Sequence, residues 1–278
     1  MKRIFSIIVS LGLIVGAVAP TAAYAQSNEQ SVRYVALGDS VSAGAGLPSL
    51  SGPSQEDELC DRSSQAYPYQ VAAALGTTVT QLACSGAKVD EGVYGEQTIK
   101  DTDISPQLNR AFENGTPDII TITVGANDAR WVQAIRDCYI WHCGSKFDVF
   151  KEKAYRADLR AELGWTLYKI NEMSNGHPPR VLLSGYYSPF TTLDCTGDSR
   201  ITSSEQKWLR DQSAMLNQAI RSVVPYFSFA EYVPIDFSGH ELCAEDPWIQ
   251  GTSDTAPFHP TAEGQSAIAR AFVNALSE

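Results

Sequence analysis

Basic residues and histidines are scarce in this sequence. Its 278 residues include 21 Lys and Arg against 32 Asp and Glu, a formal net charge of −11, and only four histidines. Nucleic acids and anionic membrane surfaces bind basic patches, so this charge balance argues against either as the main partner. The sequence also lacks repeats, heptads, long charge blocks, a glycine-rich phosphate loop and a metal-ligand cluster, so we expect no cofactor and no metal.

Long apolar runs are missing except at the start of the chain. Lys2 and Arg3 precede a mostly apolar run from Ile4 to Ala19, and Ala23-Tyr24-Ala25 forms a small-x-small cleavage site. This layout is typical of a secretory signal peptide over residues 1–25, and the run is short for an uncleaved membrane anchor. We therefore expect a secreted, extracellular monomer without stable membrane insertion, with a single domain over residues 26–278.

The six cysteines are even in number, which in an exported protein predicts three disulfides. Pairing in sequence order would brace loop regions between predicted strands and gives Cys60–Cys84, Cys138–Cys143 and Cys195–Cys243. The competing reading is a zinc site at Cys138, His142 and Cys143. That set has no convincing fourth ligand nearby, and an oxidising compartment favours the disulfide.

Short apolar runs alternate with longer segments of helical character. The predicted strands are Tyr34–Leu37, Val79–Ala83, Ile119–Val124, Val181–Ser184 and Tyr232–Ile235. The predicted helices are Ala66–Leu75, Ile104–Glu113, Phe150–Met173, Ser203–Val224 and Thr261–Leu276. Continuous apolar strands separated by helices indicate an α/β fold, a three-layer α/β/α sandwich with a central five-stranded parallel sheet. Ligands bind such sheets beyond the carboxyl ends of the strands.

The loop after the first strand, GDSVSAGAG, contains a candidate nucleophile. Ser40 follows the strand directly, where a helix N-terminus would favour negative charge. Taken alone, a serine at position 40 is more often a helix cap than a nucleophile, and Ser42 is a rival in the same loop. Ser40 also needs a base to be nucleophilic. Of the histidines, His259 in PFHPTAEG stands directly before the last helix and is the strongest candidate.

Four segments, taken together and in order, resemble the four sequence blocks of the SGNH (GDSL-type) hydrolase family. They are GDS at 38–40, Gly86 in CSGA, GAND at 125–128 and His259-Pro260. The resemblance spans nearly the whole chain after the leader and implies a flavodoxin-like fold. The export signal and six cysteines are also similar to those of secreted actinobacterial lipases and esterases of that family.

The resemblance implies a role for each matching residue. Ser40 would be the nucleophile and His259 the general base, and the backbone N–H groups of Ser40 and Gly86 with the Asn127 amide would form an oxyanion hole. Many members carry an aspartate three residues before the histidine, but that position is Ala256 here. Either the backbone carbonyl of Ala256 orients His259, or Asp254 reaches around the loop.

The reaction implied is hydrolysis of carboxylic esters through an acyl-enzyme, with lipid or acyl esters as substrates. No G-x-S-x-G surrounds Ser40, which argues against an α/β-hydrolase elbow. We expect Asp39 and Asp128 to hold loop backbone rather than to act as a carboxylate pair. An acyl pocket is suggested by apolar residues near the proposed rim: Leu47, Trp131, Tyr187, Phe190 and Phe258. The alternatives are a carbohydrate deacetylase of the same fold and a non-catalytic binding relative.

Overall fold

The computed structural model describes residues 32–190 and 201–278. The proposed leader, its cleavage at Ala25, and Cys195 lie outside these ranges. In chain order the elements are β1 (Tyr34–Gly38), α1 (Ser40–Ala43), α2 (Gln55–Leu59), α3 (Tyr67–Ala74), β2 (Val79–Gln81), β3 (Gln97–Ile99), β4 (Thr102–Ile104), α4 (Gln107–Phe112), β5 (Ile119–Thr123), α5 (Trp131–Ile140), α6 (Lys146–Met173), β6 (Arg180–Ser184), α7 (Ser203–Arg221), β7 (Ala230–Val233) and α8 (Ala262–Leu276).

The central sheet has five parallel strands in the order β2-β1-β5-β6-β7. The middle strands of the sheet are apolar along their length, as expected when both of their faces are buried in the core. Residues Val35–Leu37 are wholly buried, and Val181 and Leu182 are equally inaccessible. Helix α3 packs against α8, with Tyr67 stacked on Phe272 at 4.8 Å between ring centroids, and α6 packs against α7. The predicted α/β/α sandwich with a five-stranded parallel sheet is confirmed.

The structure differs from the sequence prediction between β2 and β5. The predicted helix Ile104–Glu113 begins only at Gln107, since Ile104 ends β4, which pairs antiparallel with β3 in a separate hairpin. Pro106 precedes the helix and has no N–H to extend the hairpin ladder. The three short helices α1, α2 and α5 were not predicted.

Two disulfides are present among the described residues. Cys60 is bonded to Cys84 and Cys138 to Cys143, and these are two of the three pairs expected from sequence order. Both thiols of the alternative zinc site are consumed by the second bond, so that reading is wrong. The partner expected for Cys243 is Cys195, which lies outside the described residues.

Within residues 32–190 and 201–278, no helix combines the length and the apolar character needed to cross a bilayer.

Candidate active site

The candidate residues lie on loops at one edge of the central sheet. Ser40 follows β1, Gly86 lies in the loop after β2, and Asn127 follows β5. His259 precedes α8. Because the strands are parallel, their carboxyl ends meet at the same edge, and these distant segments converge there.

Ser40 is held by a tightly constrained turn. Gly38 has φ of +138°, and a Cβ at this position would lie 2.1 Å from the Thr123 carbonyl oxygen of the neighbouring strand, so the approach requires glycine. The Gln107 side chain accepts from the Gly38 N–H at 2.7 Å and donates to its carbonyl at 2.9 Å. Asp39 is the N-cap of α1, accepting from the Val41 N–H, so Ser40 is not the cap.

The Ser40 hydroxyl contacts the His259 ring directly. The distance from Ser40 Oγ to His259 Nε2 is 2.7 Å. Ser42, the rival in the same loop, is buried and donates its hydroxyl to Tyr67 Oη at 3.2 Å. Only Ser40 of the two therefore has a base within hydrogen-bond distance.

The other ring nitrogen of His259 faces main-chain oxygen. Nδ1 lies 3.2 Å from the Pro257 carbonyl oxygen, whereas the Ala256 carbonyl accepts from the His259 backbone N–H. Hydrogen bonding to the carbonyls of both Pro257 and Ala256 acts on the ring, so the Pro257 carbonyl stands beside the Ala256 carbonyl expected from the sequence. Phe258, which precedes the histidine, has φ of +67°, a left-handed conformation rare for a bulky residue.

Asp254 does not reach the imidazole. Its Oδ2 accepts from the Gly251 N–H at 2.6 Å and closes its own turn. Within the described part of the chain, no hydrogen bond joins the Asp254 carboxylate to the His259 ring. A carbonyl acceptor suffices to fix a ring tautomer, since it accepts the Nδ1 proton as a carboxylate would.

Burial lowers the pKa of His259 below its usual value, although hydrogen bonding to the carbonyls of Pro257 and Ala256 opposes the shift. The ring is therefore neutral at pH 7, as a base must be.

Gln250 joins the histidine loop to the serine loop, a role that sequence reasoning missed. Its Nε2 donates to the Ala45 and Pro260 carbonyls, both at 3.0 Å, and its Oε1 accepts from the Ala256 N–H at 3.2 Å. A single buried amide thus fixes the separation between the two loops. A glutamine in a loop gives no sequence signal for such a bridge.

The predicted oxyanion donors are arranged around the same edge. Gly86 has φ of +80°, which favours glycine. Within the described residues, neither the Ser40 nor the Gly86 backbone N–H donates a hydrogen bond to another protein group. The Asn127 side chain donates through Nδ2 to the Ala87 carbonyl at 2.9 Å. The amide is thereby anchored beside the Gly86 loop.

Asp39 and Asp128 bind loop backbone, but they differ in environment. Asp39 is fully buried and accepts from Tyr186 Oη at 2.5 Å. Burial raises its pKa to about 7, against the hydrogen bonds from Tyr186 and Val41. Asp128 accepts from the Val89 N–H at 2.9 Å, and burial raises its pKa to about 6.

A group of carboxylates adjoins Asp128. Oxygens of Asp90, Asp128 and Glu162 lie within 4.8 Å of one another. Lys88 and Arg130 line the same cavity, so the cluster has its own counter-charges and does not by itself imply a metal.

An apolar cavity of about 450 Å³ opens beside the Ser40–His259 pair. Trp131, Tyr187 and Phe258 line it, as expected for rim residues, and Tyr187 donates to the Phe258 carbonyl at 2.7 Å. Leu47 and Phe190 do not line the cavity. One wall is formed by α5 through Trp131, Val132, Ile135, Arg136, Tyr139 and Ile140.

The chain is also similar to known proteins. The model of the GDSL-like Lipase/Acylhydrolase family matches residues 36–267. Lipase 1 of Streptomyces coelicolor is 30% identical over 275 residues, covering 95% of this chain and 94% of that protein.

Solved structures agree in turn. The extracellular lipase of Streptomyces rimosus superposes with a TM-score of 0.70 at 26% identity, covering 88% of this chain and 98% of that one. For phospholipase A1 of Streptomyces albidoflavus the TM-score is 0.68 at 26% identity, with 89% and 98% covered. The chain therefore belongs to the GDSL-like lipase/acylhydrolase family and is a carboxylic ester hydrolase.

Proposed function

We propose that this protein is a secreted serine esterase or lipase that hydrolyses lipid esters through an acyl-enzyme on Ser40. The observation that carries the proposal is the 2.7 Å contact between Ser40 Oγ and His259 Nε2, residues 219 positions apart in the chain. A serine hydroxyl becomes nucleophilic when a neutral base accepts its proton. The depressed pKa of His259 supports the neutral state of that base.

Acylation begins when Ser40 Oγ attacks the ester carbonyl carbon and its proton passes to His259 Nε2. The tetrahedral intermediate collapses as the C–O bond to the alcohol breaks, and Nε2 returns the proton to the leaving alkoxide. Water then attacks the acyl-enzyme with His259 again as base, releasing the acid and restoring Ser40. The His259 Nδ1–H donates to the Pro257 carbonyl throughout, so the ring always presents Nε2 to Ser40.

The negative charge on the carbonyl oxygen needs fixed donors. The free N–H groups of Ser40 and Gly86 and the anchored amide of Asn127 are the groups we assign to it. Backbone donors held in a rigid turn cost no reorganisation when the charge develops. Gln107 and the Cys60–Cys84 disulfide hold the two backbone segments in place.

A lipid acyl chain is the substrate that the cavity supports best. Its walls are mainly aromatic and aliphatic, and its volume exceeds what an acetyl group needs. The relatives named lipase and phospholipase A1 point the same way. The apolar leader, the disulfides and the extracellular relative support export.

Rates on p-nitrophenyl esters of increasing chain length test this function. We expect medium and long chains to be cleaved faster than acetate, with Ser40→Ala and His259→Ala each inactive and the matched variant Ser42→Ala active. Cleavage restricted to acetate would favour the carbohydrate deacetylase reading. Absence of turnover on every ester by folded protein would favour the non-catalytic relative.

A further inference from the structure

Exposed apolar side chains concentrate in one region, residues 131–151, which we call the α5–α6 corner. Four of the eight exposed large apolar side chains of the described residues lie there: Val132 (60% exposed), Ile140 (51%), Trp141 (75%) and Phe147 (64%). Isolated exposed apolar residues are ordinary, but a concentration of this kind marks an interaction surface.

The most exposed of these residues stands on a rigid support. Trp141 lies within the short loop closed by the Cys138–Cys143 disulfide. The Cys143 N–H donates to Glu205 Oε1 at 3.2 Å and ties the loop to α7. Trp141 therefore projects without the entropy loss that a mobile loop would suffer on binding. Tryptophan is also the side chain that most favours the boundary between water and lipid.

The net charge of the corner, with three basic residues against two acidic ones, is opposite in sign to that of the chain as a whole. Its exposed charged side chains are all basic, namely Arg136, Lys146 and Lys151. Its two acidic residues are half-buried: Asp137 accepts from Gln133, and Asp148 caps α6 with Ser145. The net charge of −11 therefore does not describe this face.

Basic and apolar groups are interleaved within the corner. Lys151 Nζ lies 4.3 Å from the ring centroid of Phe147, so a cation and an aromatic ring share one exposed face of the first turns of α6. This combination is the one that surface-bound helices present to anionic lipid, with rings at the acyl boundary and ammonium groups at the phosphates.

The corner is continuous with the candidate active site. Val132 and Ile140 belong to the exposed apolar group and also line the cavity beside Ser40 and His259. A lipid at the corner would thus lie at the mouth of the cavity, and an acyl chain could pass from one to the other along α5.

We propose that the α5–α6 corner docks this enzyme onto an anionic phospholipid surface. The inference rests on the proposed function only for the reason why the enzyme would dock, which is access to lipid substrate. Binding to the lipid surface itself needs no turnover. The local positive charge would select anionic over zwitterionic lipid, a preference that the net charge of the whole chain does not predict. The same charges argue against a second copy as the occupant, since the corner would face another basic corner across a symmetric contact.

Flotation with lipid vesicles tests the docking directly. The protein is the full chain carrying Ser40→Ala, so that vesicles stay intact, with phosphatidylcholine vesicles compared with mixed phosphatidylcholine and phosphatidylglycerol vesicles at low salt. We expect binding to the anionic vesicles to be at least about tenfold tighter, and to weaken as salt rises. Equal binding to both vesicle types, or none to either, would overturn the proposal.

Two double variants locate the contact. Trp141→Ala with Phe147→Ala should abolish most vesicle binding, and Lys146→Glu with Lys151→Glu should reduce it by at least about 25-fold, given about fivefold per charge. The matched controls are Tyr226→Ala, the most exposed aromatic side chain outside the corner in the part of the chain that the structure describes, and Lys100→Glu with Lys207→Glu, the same charge change at lysines outside the corner. Retained binding in both corner variants, or equal loss in the controls, contradicts the proposal.

Two further measurements separate docking from catalysis and from self-association. With an active Ser40, the corner variants should hydrolyse a soluble short-chain ester at the unaltered rate while losing activity on anionic vesicles. An inactive wild type that still floats with vesicles would refute the proposed function and leave docking intact. Sedimentation showing a dimer that depends on Trp141 would assign the corner to a second copy and refute docking.

Discussion

The Tyr186 hydroxyl donates a 2.5 Å hydrogen bond to Oδ2 of the buried Asp39, directly beside Ser40. The same Tyr186 oxygen accepts from the Ala126 N–H at 3.2 Å, next to Asn127. One phenol therefore links the serine loop to the loop that carries a predicted oxyanion donor. Since the pKa of Asp39 is raised to about 7 by burial, its charge in the folded protein depends on this donor.

Replacing Tyr186 by Phe should destabilise the protein in a pH-dependent way. A hydrogen bond to a charged group contributes about 1.5–3 kcal/mol, so the free energy of unfolding should fall by that amount at pH 8, where Asp39 is ionised. At pH 5 the folded-state carboxyl is protonated and the loss should be smaller. Urea denaturation at both pH values measures the change in the free energy of unfolding. Tyr34→Phe, which removes a hydrogen bond to the neutral Thr121, is the control, and its loss of free energy of unfolding should be the same at pH 5 and pH 8.

Replacing Asp254 by Ala should leave turnover nearly unchanged. Its carboxylate binds the Gly251 N–H, and the main chain supplies the acceptor for the His259 ring. Steady-state kinetics on a soluble ester should give kcat within about twofold of wild type, since no group that contacts the reacting atoms is lost. A large drop in kcat in folded Asp254→Ala protein would instead establish a triad.

The pH dependence of kcat/KM should have an acidic limb below the ordinary histidine pKa. Burial favours the neutral ring of His259 and lowers its pKa from 6.5, so the base stays active as pH falls below that value. Activity should rise with pH and reach half its plateau below pH 6.5. His177→Gln, at an exposed histidine, should have the same limb. A half-maximal kcat/KM at or above pH 6.5 would mean that burial does not lower the pKa of His259.

Asn127→Ala should lower kcat by about 100-fold with little change in KM, because its amide is assigned to charge that exists only in the transition state. The neighbouring variant Ser85→Ala provides the comparison, since the buried Ser85 hydroxyl has no hydrogen-bond partner within the described residues. An unchanged kcat in Asn127→Ala would remove Asn127 from the oxyanion hole.

Much of the fold follows from local patterns in the sequence. The apolar runs at β1, β5 and β6 are buried on both faces, and such runs have few alternatives to a parallel sheet. The order of motifs along the chain likewise brings Ser40 and His259 to one edge of that sheet. Short helices such as α5 have no comparable signal, because a few turns depend on tertiary packing rather than on propensity.

The support of His259 could not be read from residue types. Ala256 leaves no side-chain acceptor, and which main-chain carbonyls face the His259 ring depends on backbone conformation rather than on residue type. Gln250 and Tyr186 were missed for a related reason. Each joins segments far apart in sequence through single hydrogen bonds, which no local pattern encodes.

Labelling with a fluorophosphonate, followed by intact mass and peptide mapping, tests the central assignment most directly. The reagent bonds covalently only to a serine that a nearby base has activated. We expect one adduct per chain on Ser40, none on Ser40→Ala, and unchanged labelling of Ser42→Ala. Esterase activity without an adduct on Ser40, or equal labelling of wild type and Ser40→Ala, would contradict it.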